Sequence, residues 1–78
     1  MKGRNQMSFV RVERAKRNMS QEQLANKAGL NRYKIVRSEN VDNILKDMPY
    51  DDIKKIATAF DMTLDEFVKS YEESGEFV

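Results

Sequence analysis

The sequence has neither cysteine nor histidine among its 78 residues. Without these two residue types, disulfide bonds, thiolate nucleophiles and zinc sites with Cys or His ligands are all excluded. The absence of histidine also excludes any catalytic triad that uses an imidazole base. The acidic pairs Asp51–Asp52 and Asp65–Glu66 are interpreted as complements of helix dipoles, because no histidine or plausible nucleophile accompanies them. The sequence therefore predicts a protein that is not an enzyme and that holds no catalytic residue, metal or cofactor.

Long apolar runs are missing as well. No segment reaches the roughly 18 apolar residues that a membrane-spanning helix needs. The chain opens with mixed polar sequence, which lacks the apolar region of a secretory signal peptide. A chain of this length has room for one small domain, which excludes a deep cleft between two subdomains. We expect a cytoplasmic protein without a membrane partner.

Glycine and proline are scarce, with three glycines and one proline. Few residues that break regular structure and little β-branched alternation favour helices, so the predicted fold class is all-α. Five helices are predicted, at about 8–17, between Ser20 and Gly29, at 32–38, at 49–60 with Pro49 in the first turn, and at 63–71. Residues 1–7 are predicted to be an N-terminal arm, residues 8–71 the helical domain, and residues 72–78 a flexible acidic tail.

Polar residues mark several helix ends. Ser20 with Gln23, and likewise Thr63 with Glu66, have the spacing of a capping box, in which each side chain bonds the other residue's backbone N–H. Gly29 suits the left-handed conformation that ends a helix, and Asn31 is a good N-cap for the next one. The segment from 40 to 48 is predicted to be a loop, whose apolar residues either seal the core or form an interaction surface. These residues are Val41, Ile44 and Leu45.

Charge is unequally distributed, although the net charge is only +1. Residues 1–40 hold ten basic and three acidic side chains, a net charge of +7, whereas residues 41–78 hold four basic and ten acidic ones, a net charge of −6. The first half is thus suited to a polyanion, and the second half repels one. Segregated charge alone does not establish nucleic-acid binding, because many domains have it for other reasons.

Residues 20–39, SQEQLANKAGLNRYKIVRSE, indicate two short helices joined by a tight turn at Gly29. Ala25 precedes the glycine by four residues, where a small side chain lets the two helices cross closely. This pattern is typical of a helix-turn-helix. The second helix then exposes a basic and aromatic surface that suits the major groove of B-DNA. Its outward residues are Arg32, Tyr33, Lys34, Val36 and Arg37.

The chain resembles the lambda-repressor-like helix-turn-helix family, also called the Cro/repressor or Xre type. The resemblance covers about residues 8–70. It is carried by SQEQLA, the Gly29 turn, Ile35, Glu39 and the segment IATAFDMTLDEF at 56–67. It implies a five-helix DNA-binding domain with the helix-turn-helix at helices 2 and 3. The implied function is that of a sequence-specific transcriptional regulator, a repressor, which binds a pseudo-palindromic double-stranded DNA operator as a homodimer.

The resemblance also implies roles for single residues. Arg32, Tyr33, Val36 and Arg37 are expected to contact bases, and Gln21, Asn31, Lys34 and Arg17 to contact phosphates. Arg14 and Glu39 occupy the positions of a family ion pair that ties the first helix to the end of the third. At Ser38 the family usually has an apolar residue, which leaves the end of the third helix open. Gln21 is expected to touch only the DNA backbone, so that its loss would weaken binding to all sequences alike.

Other interpretations of these residues and of the function stay open. Lys34 and Arg17 could be solvated basic side chains, and Tyr33 could fill space in the packing. Within the same fold, the protein could be an antitoxin or a restriction-modification controller. As a protein of another class, it could be an adaptor or antirepressor that docks to a protein through the 40–48 segment or the acidic helices.

Candidate dimer contacts are Tyr71, Phe77, Val78 and the 40–48 segment. No small-molecule effector is expected, because no second domain is present to bind one.

Overall fold

The computed structural model describes residues 8–41 and 43–74, and within these ranges the chain forms six α-helices and no β-strand. The helices are α1 (Phe9–Lys16), α2 (Gln21–Ala28), α3 (Arg32–Asn40), α4 (Ile44–Asp47), α5 (Tyr50–Ala59) and α6 (Leu64–Glu73). The predicted all-α class is confirmed, and the structure adds a sixth helix to the predicted five. No helix in the described ranges is long and apolar enough to cross a membrane.

The additional helix, α4, is a single turn inside the segment that was predicted to be a loop. Asn43 caps it, since its Oδ1 accepts a hydrogen bond from the N–H of Leu45 at 3.1 Å. Ile44 is buried, and Val41 and Leu45 pack half-buried against the core. Of the two roles considered for these apolar residues, the structure shows the sealing of the core.

The two predicted capping boxes are both present. Ser20 Oγ accepts from the N–H of Gln23 at 3.0 Å, and the N–H of Ser20 donates to Gln23 Oε1 at 2.8 Å. The same reciprocal pair starts α6, with 3.1 Å from the Glu66 N–H to Thr63 Oγ1 and 2.8 Å from the Thr63 N–H to Glu66 Oε1. Each box satisfies two donors that a helix start otherwise leaves unbonded, which is why these helices begin where the sequence predicts.

A sharp turn joins α2 to α3. Gly29 ends α2 with φ +72°, and a Cβ built on it would meet no atom within 4 Å. Backbone conformation rather than crowding therefore favours glycine at this position. The N–H of Leu30 donates to the carbonyl of Ala25 at 2.9 Å across the turn. Asn31 Oδ1 caps α3 by accepting from the N–H of Lys34 at 2.9 Å.

The hydrophobic core is built by residues from every helix. Its buried apolar side chains are Phe9, Val10, Leu24, Ala25, Ala28, Ile35, Ile44, Met48, Ile53, Ile56, Ala57, Ala59, Phe60, Phe67 and Tyr71. The ring of Phe9 packs edge-on against Phe67 and Tyr71, with centroids 5.2 and 5.6 Å apart. Because Tyr71 is buried in the core of one chain, it is unsuited to the dimer contact considered for it. Phe77 and Val78 lie outside the described residues, as does the arm at residues 1–7.

Three local expectations are corrected by the structure. Pro49 is the N-cap of α5 rather than part of its first turn. Helix α6 continues to Glu73, so that the first two residues of the predicted tail are helical. Ser38 is buried and its hydroxyl donates to the carbonyl of Ile35 at 2.7 Å, which satisfies the polar group that replaces an apolar one. Helix α3 continues past Ser38 to Asn40.

Candidate nucleic-acid interface

One face of α3 lies in solvent. Arg32, Tyr33 and Arg37 are exposed, and Tyr33 is 68% exposed, which is the largest value among the big apolar side chains of the described residues. Val36 is half-buried at the edge of this face. Since a helix turns once every 3.6 residues, the buried Ile35 lies on the opposite side, where it fixes α3 to the core. The four side chains predicted to contact bases therefore share one accessible surface.

Asn40 belongs to the same surface and was missed by sequence reasoning. It is exposed, and it follows Arg32 and Val36 at the four-residue spacing that keeps side chains on one face of a helix. Its Nδ2 donates to the carbonyl of Val36 at 2.7 Å. The spacing was visible in the sequence, but the predicted helix ended at about residue 38 and so excluded this position.

The start of α2 contacts the start of α3 through side chains. Arg32 Nη2 donates to Gln21 Oε1 at 3.1 Å, and Gln21 Nε2 donates to Glu39 Oε1 at 3.0 Å. The carboxylate only accepts hydrogen bonds and the guanidinium only donates them, so a single orientation of the Gln21 amide satisfies both neighbours. Arg32 uses one of its five N–H donors in this way, and the amide holds its position.

Glu39 is nearly buried and accepts hydrogen bonds on both carboxylate oxygens. Its side chain is 6% exposed, and its other oxygen, Oε2, accepts from Arg14 Nε at 2.8 Å. Arg14 in turn donates through Nη1 to the carbonyl of Met19 at 2.7 Å. The structure thus joins the predicted pair of Arg14 and Glu39, and it extends the pair to Gln21 and Arg32. We call this series, Arg14–Glu39–Gln21–Arg32, the relay; it connects α1, α2 and the two ends of α3.

The ammonium of Lys34 contacts a carboxylate of α5. Its Nζ lies 3.2 Å from Asp52 Oδ2 and 3.4 Å from Oδ1. The Lys34 side chain is 42% exposed, whereas the Asp52 side chain is 7% exposed. The phosphate contact expected of Lys34 stays a prediction, and the structure shows that this ammonium already has an anionic partner in the free protein.

Arg17, the fourth residue with an expected phosphate contact, stands at the end of α1 and is bonded within the protein. Its Nη1 donates to the carbonyl and to Oε1 of Glu13 at 2.9 and 2.8 Å, and its Nη2 donates to the carbonyl of Phe60 at 3.1 Å. Its guanidinium also lies 4.7 Å from the centre of the Phe60 ring. These contacts tie α1 to the end of α5, and no bond of Arg17 reaches α3 in the described part of the chain.

Asn31 and Gln21 stand at the two helix starts nearest the exposed face. Asn31 is exposed, and its side-chain oxygen is used as the cap of α3. Gln21 is the first residue of α2, where unbonded backbone N–H groups and the helix dipole favour an anion. Both positions suit a DNA phosphate next to α3.

A model of a known protein family, described as a Cro/C1-type HTH DNA-binding domain, matches residues 10–73. The matched region includes all six helices except the first residue of α1. No curated protein and no solved structure matches the chain significantly. From the matched family model, together with the capped turn at Gly29 and the exposed basic face of α3, the chain is shown to belong to the Cro/C1-type helix-turn-helix family of DNA-binding domains.

Proposed function

We propose that this protein is a sequence-specific transcriptional regulator, a repressor, that inserts α3 into the major groove of double-stranded DNA. The observation that carries the proposal is the exposed face of α3. Arg32, Tyr33 and Arg37 lie in solvent there, while Ile35 and Ser38 anchor the helix from behind. A helix fits the width of the major groove, and side chains of this kind form hydrogen bonds and apolar contacts with base edges.

Arg32 and Arg37 are the strongest candidates for base reading. A guanidinium can bond guanine O6 and N7 together, which contributes about 1–3 kcal/mol of discrimination against another base. Arg32 has donors to spare for this contact, because the relay engages only one of its terminal nitrogens. Tyr33, Val36 and Asn40 complete the surface with apolar area and an amide. Base readout by these residues is the part of the proposal that gives the protein its sequence specificity.

Gln21 and Asn31 position the domain on the DNA backbone in this proposal. The remaining N–H of the Gln21 amide and the backbone N–H groups at the start of α2 are donors for a phosphate. Such contacts carry no sequence information, but they fix the register of α3 in the groove. The relay then couples this anchor to Arg32, so that the residue that touches the backbone also orients a residue that reads a base.

A homodimer is proposed because a single domain contacts only a few base pairs. Two copies related by a twofold axis would bind a pseudo-palindromic operator with half-sites about one helical turn apart. In this proposal the dimer contacts lie in the acidic second half of the chain, apart from Asp52, which packs beside the start of α3. Repression then follows from occupation of the operator in place of the polymerase.

Selection of bound duplexes from a random pool tests the proposal directly. We expect enrichment of a pseudo-palindromic sequence, with affinity that falls steeply as salt increases, because bound phosphates release counterions. The matched control is the variant Arg32→Ala/Arg37→Ala, which should keep the helical circular dichroism of the wild type and lose the enrichment. A pool that shows no enriched sequence, with retention independent of salt, would contradict the proposal and favour a protein-binding adaptor.

A further inference from the structure

The contact between Lys34 and Asp52 joins α3 to α5. Lys34 lies in the first turn of α3, and Asp52 lies in the first turn of α5. The ammonium approaches both carboxylate oxygens, at 3.2 and 3.4 Å. The cation therefore already has a charge-assisted contact of the kind that it would otherwise offer to a phosphate.

The two partners differ in burial, and the difference sets the cost of separating them. Asp52 is nearly enclosed, with 7% of its side chain exposed, whereas Lys34 keeps 42%. A buried carboxylate that loses its cation is left poorly solvated, which is costly. A phosphate on the protein surface would offer Lys34 only a solvent-screened attraction in exchange. Lys34 is therefore expected to stay with Asp52 when DNA binds.

We propose that Asp52 is a specificity-determining residue that withholds Lys34 from the DNA backbone. The inference rests on the proposed function, and it refines the phosphate contact first expected of Lys34. Each lysine that neutralises a phosphate adds affinity for every sequence equally. Because Asp52 pairs with the Lys34 ammonium, the attraction of α3 to DNA of any sequence is weaker. Base contacts then contribute a larger fraction of the binding free energy.

Salt titrations on a random-sequence duplex test this inference. In Asp52→Asn, Lys34 is released and can bind a phosphate. The slope of log affinity against log salt should then steepen by about 0.9. The affinity lost between ~50 and ~200 mM salt should accordingly be ~3–4-fold greater than for the wild type. Asp51→Asn is the matched control: the neighbouring carboxylate is exposed, and its loss changes the net charge identically while Lys34 stays paired. Its slope should remain that of the wild type.

Two further variants separate release of Lys34 from simple loss of repulsion. Lys34→Met should leave the wild-type slope unchanged, because the lysine was not on a phosphate. Lys34→Met/Asp52→Asn should lose the steeper slope of Asp52→Asn. If Lys34→Met lowers the slope by about 0.9, Lys34 already binds a phosphate and the inference is overturned. It is equally overturned if the double variant keeps the gain, or if Asp51→Asn reproduces it.

Unfolding in urea provides a readout that needs no DNA. Lys34→Met leaves the Asp52 carboxylate buried without its cation, so its unfolding midpoint should fall below that of the double variant. Equal midpoints would show that the ion pair contributes nothing and would overturn the inference.

Absence of binding by the wild type to any duplex overturns the proposed function, and this inference with it. Wild-type binding with a lower slope in Lys34→Met overturns the inference alone.

Discussion

Helices α1 and α3 both supply arginines from the basic half of the chain, and the structure uses them in opposite ways. Arg14 and Arg17 each bond a carboxylate and a backbone carbonyl of the protein. Arg32 gives one donor to a neutral amide, and Arg37 is exposed without an ion pair among the described residues. The same residue type thus has two uses. Arg14 and Arg17 stabilise the fold, whereas Arg32 and Arg37 are available to a ligand.

The largest effect is expected at Arg14, and a dispensable Arg14 would contradict the role in stability that the comparison assigns to the arginines of α1. Arg14→Met leaves the nearly buried Glu39 carboxylate without its cation, and we expect the free energy of unfolding to fall by about 3 kcal/mol. Urea unfolding followed by circular dichroism measures the change. Arg11→Met is the matched control, because Arg11 lies exposed on the same helix. Equal stability of the two variants would mean that the α1 arginines do not hold the fold.

On α3, the opposite result is expected for Arg32. Arg32→Ala should leave the unfolding midpoint close to that of the wild type, because the side chain is exposed. It should lose about 2 kcal/mol of discrimination at one operator position, which a titration over single-base variants measures. Unchanged preference at every position would remove Arg32 from the base-reading surface.

The relay makes Gln21 an intermediate case between the two groups. Because Gln21 Oε1 holds Arg32, Gln21→Ala should lose about 1 kcal/mol of discrimination at the position that Arg32 reads, in addition to a general weakening. The same single-base titration provides the measurement. A loss of equal size for every sequence would indicate a backbone contact only, as the sequence alone suggested.

The smallest effect is expected at Arg17. Its guanidinium is partly exposed and is held by Glu13 and Phe60, so Arg17→Met should lower stability by about 0.5–1 kcal/mol. The salt slope of DNA binding should stay unchanged. A slope lowered by about 0.9 with unchanged stability would instead restore the phosphate contact predicted for this residue.

Features that depend on neighbouring residues could be predicted well. The capping boxes at Ser20 and Thr63 and the left-handed Gly29 follow from interactions within a few residues, and each is present. The single turn of α4 was missed because four residues are too few to show a helical period. Asn40 was missed for a related reason, since helix ends are marked less clearly than helix interiors.

Contacts between residues far apart in the sequence were harder to predict from the sequence. The pairing of Arg14 with Glu39 was expected only through the family resemblance, and nothing local to Gln21 indicated its bonds to Glu39 and Arg32. Lys34 illustrates the limit most clearly, because its partner Asp52 is 18 residues away on another helix. A basic residue at the start of a recognition helix has the same local sequence whether it is free or paired.

The sequence by itself determined where the main helices begin and turn, and that the first half of the chain is basic. These properties depend on backbone conformation, hydrophobic periodicity and counted charge, which are short-range or additive. Only the tertiary structure decided which cations stay available, because an ion pair depends on the distance and burial that the packing of α1, α3 and α5 imposes. That packing engages Arg14, Arg17 and Lys34 within the protein and leaves the outer face of α3 to the solvent.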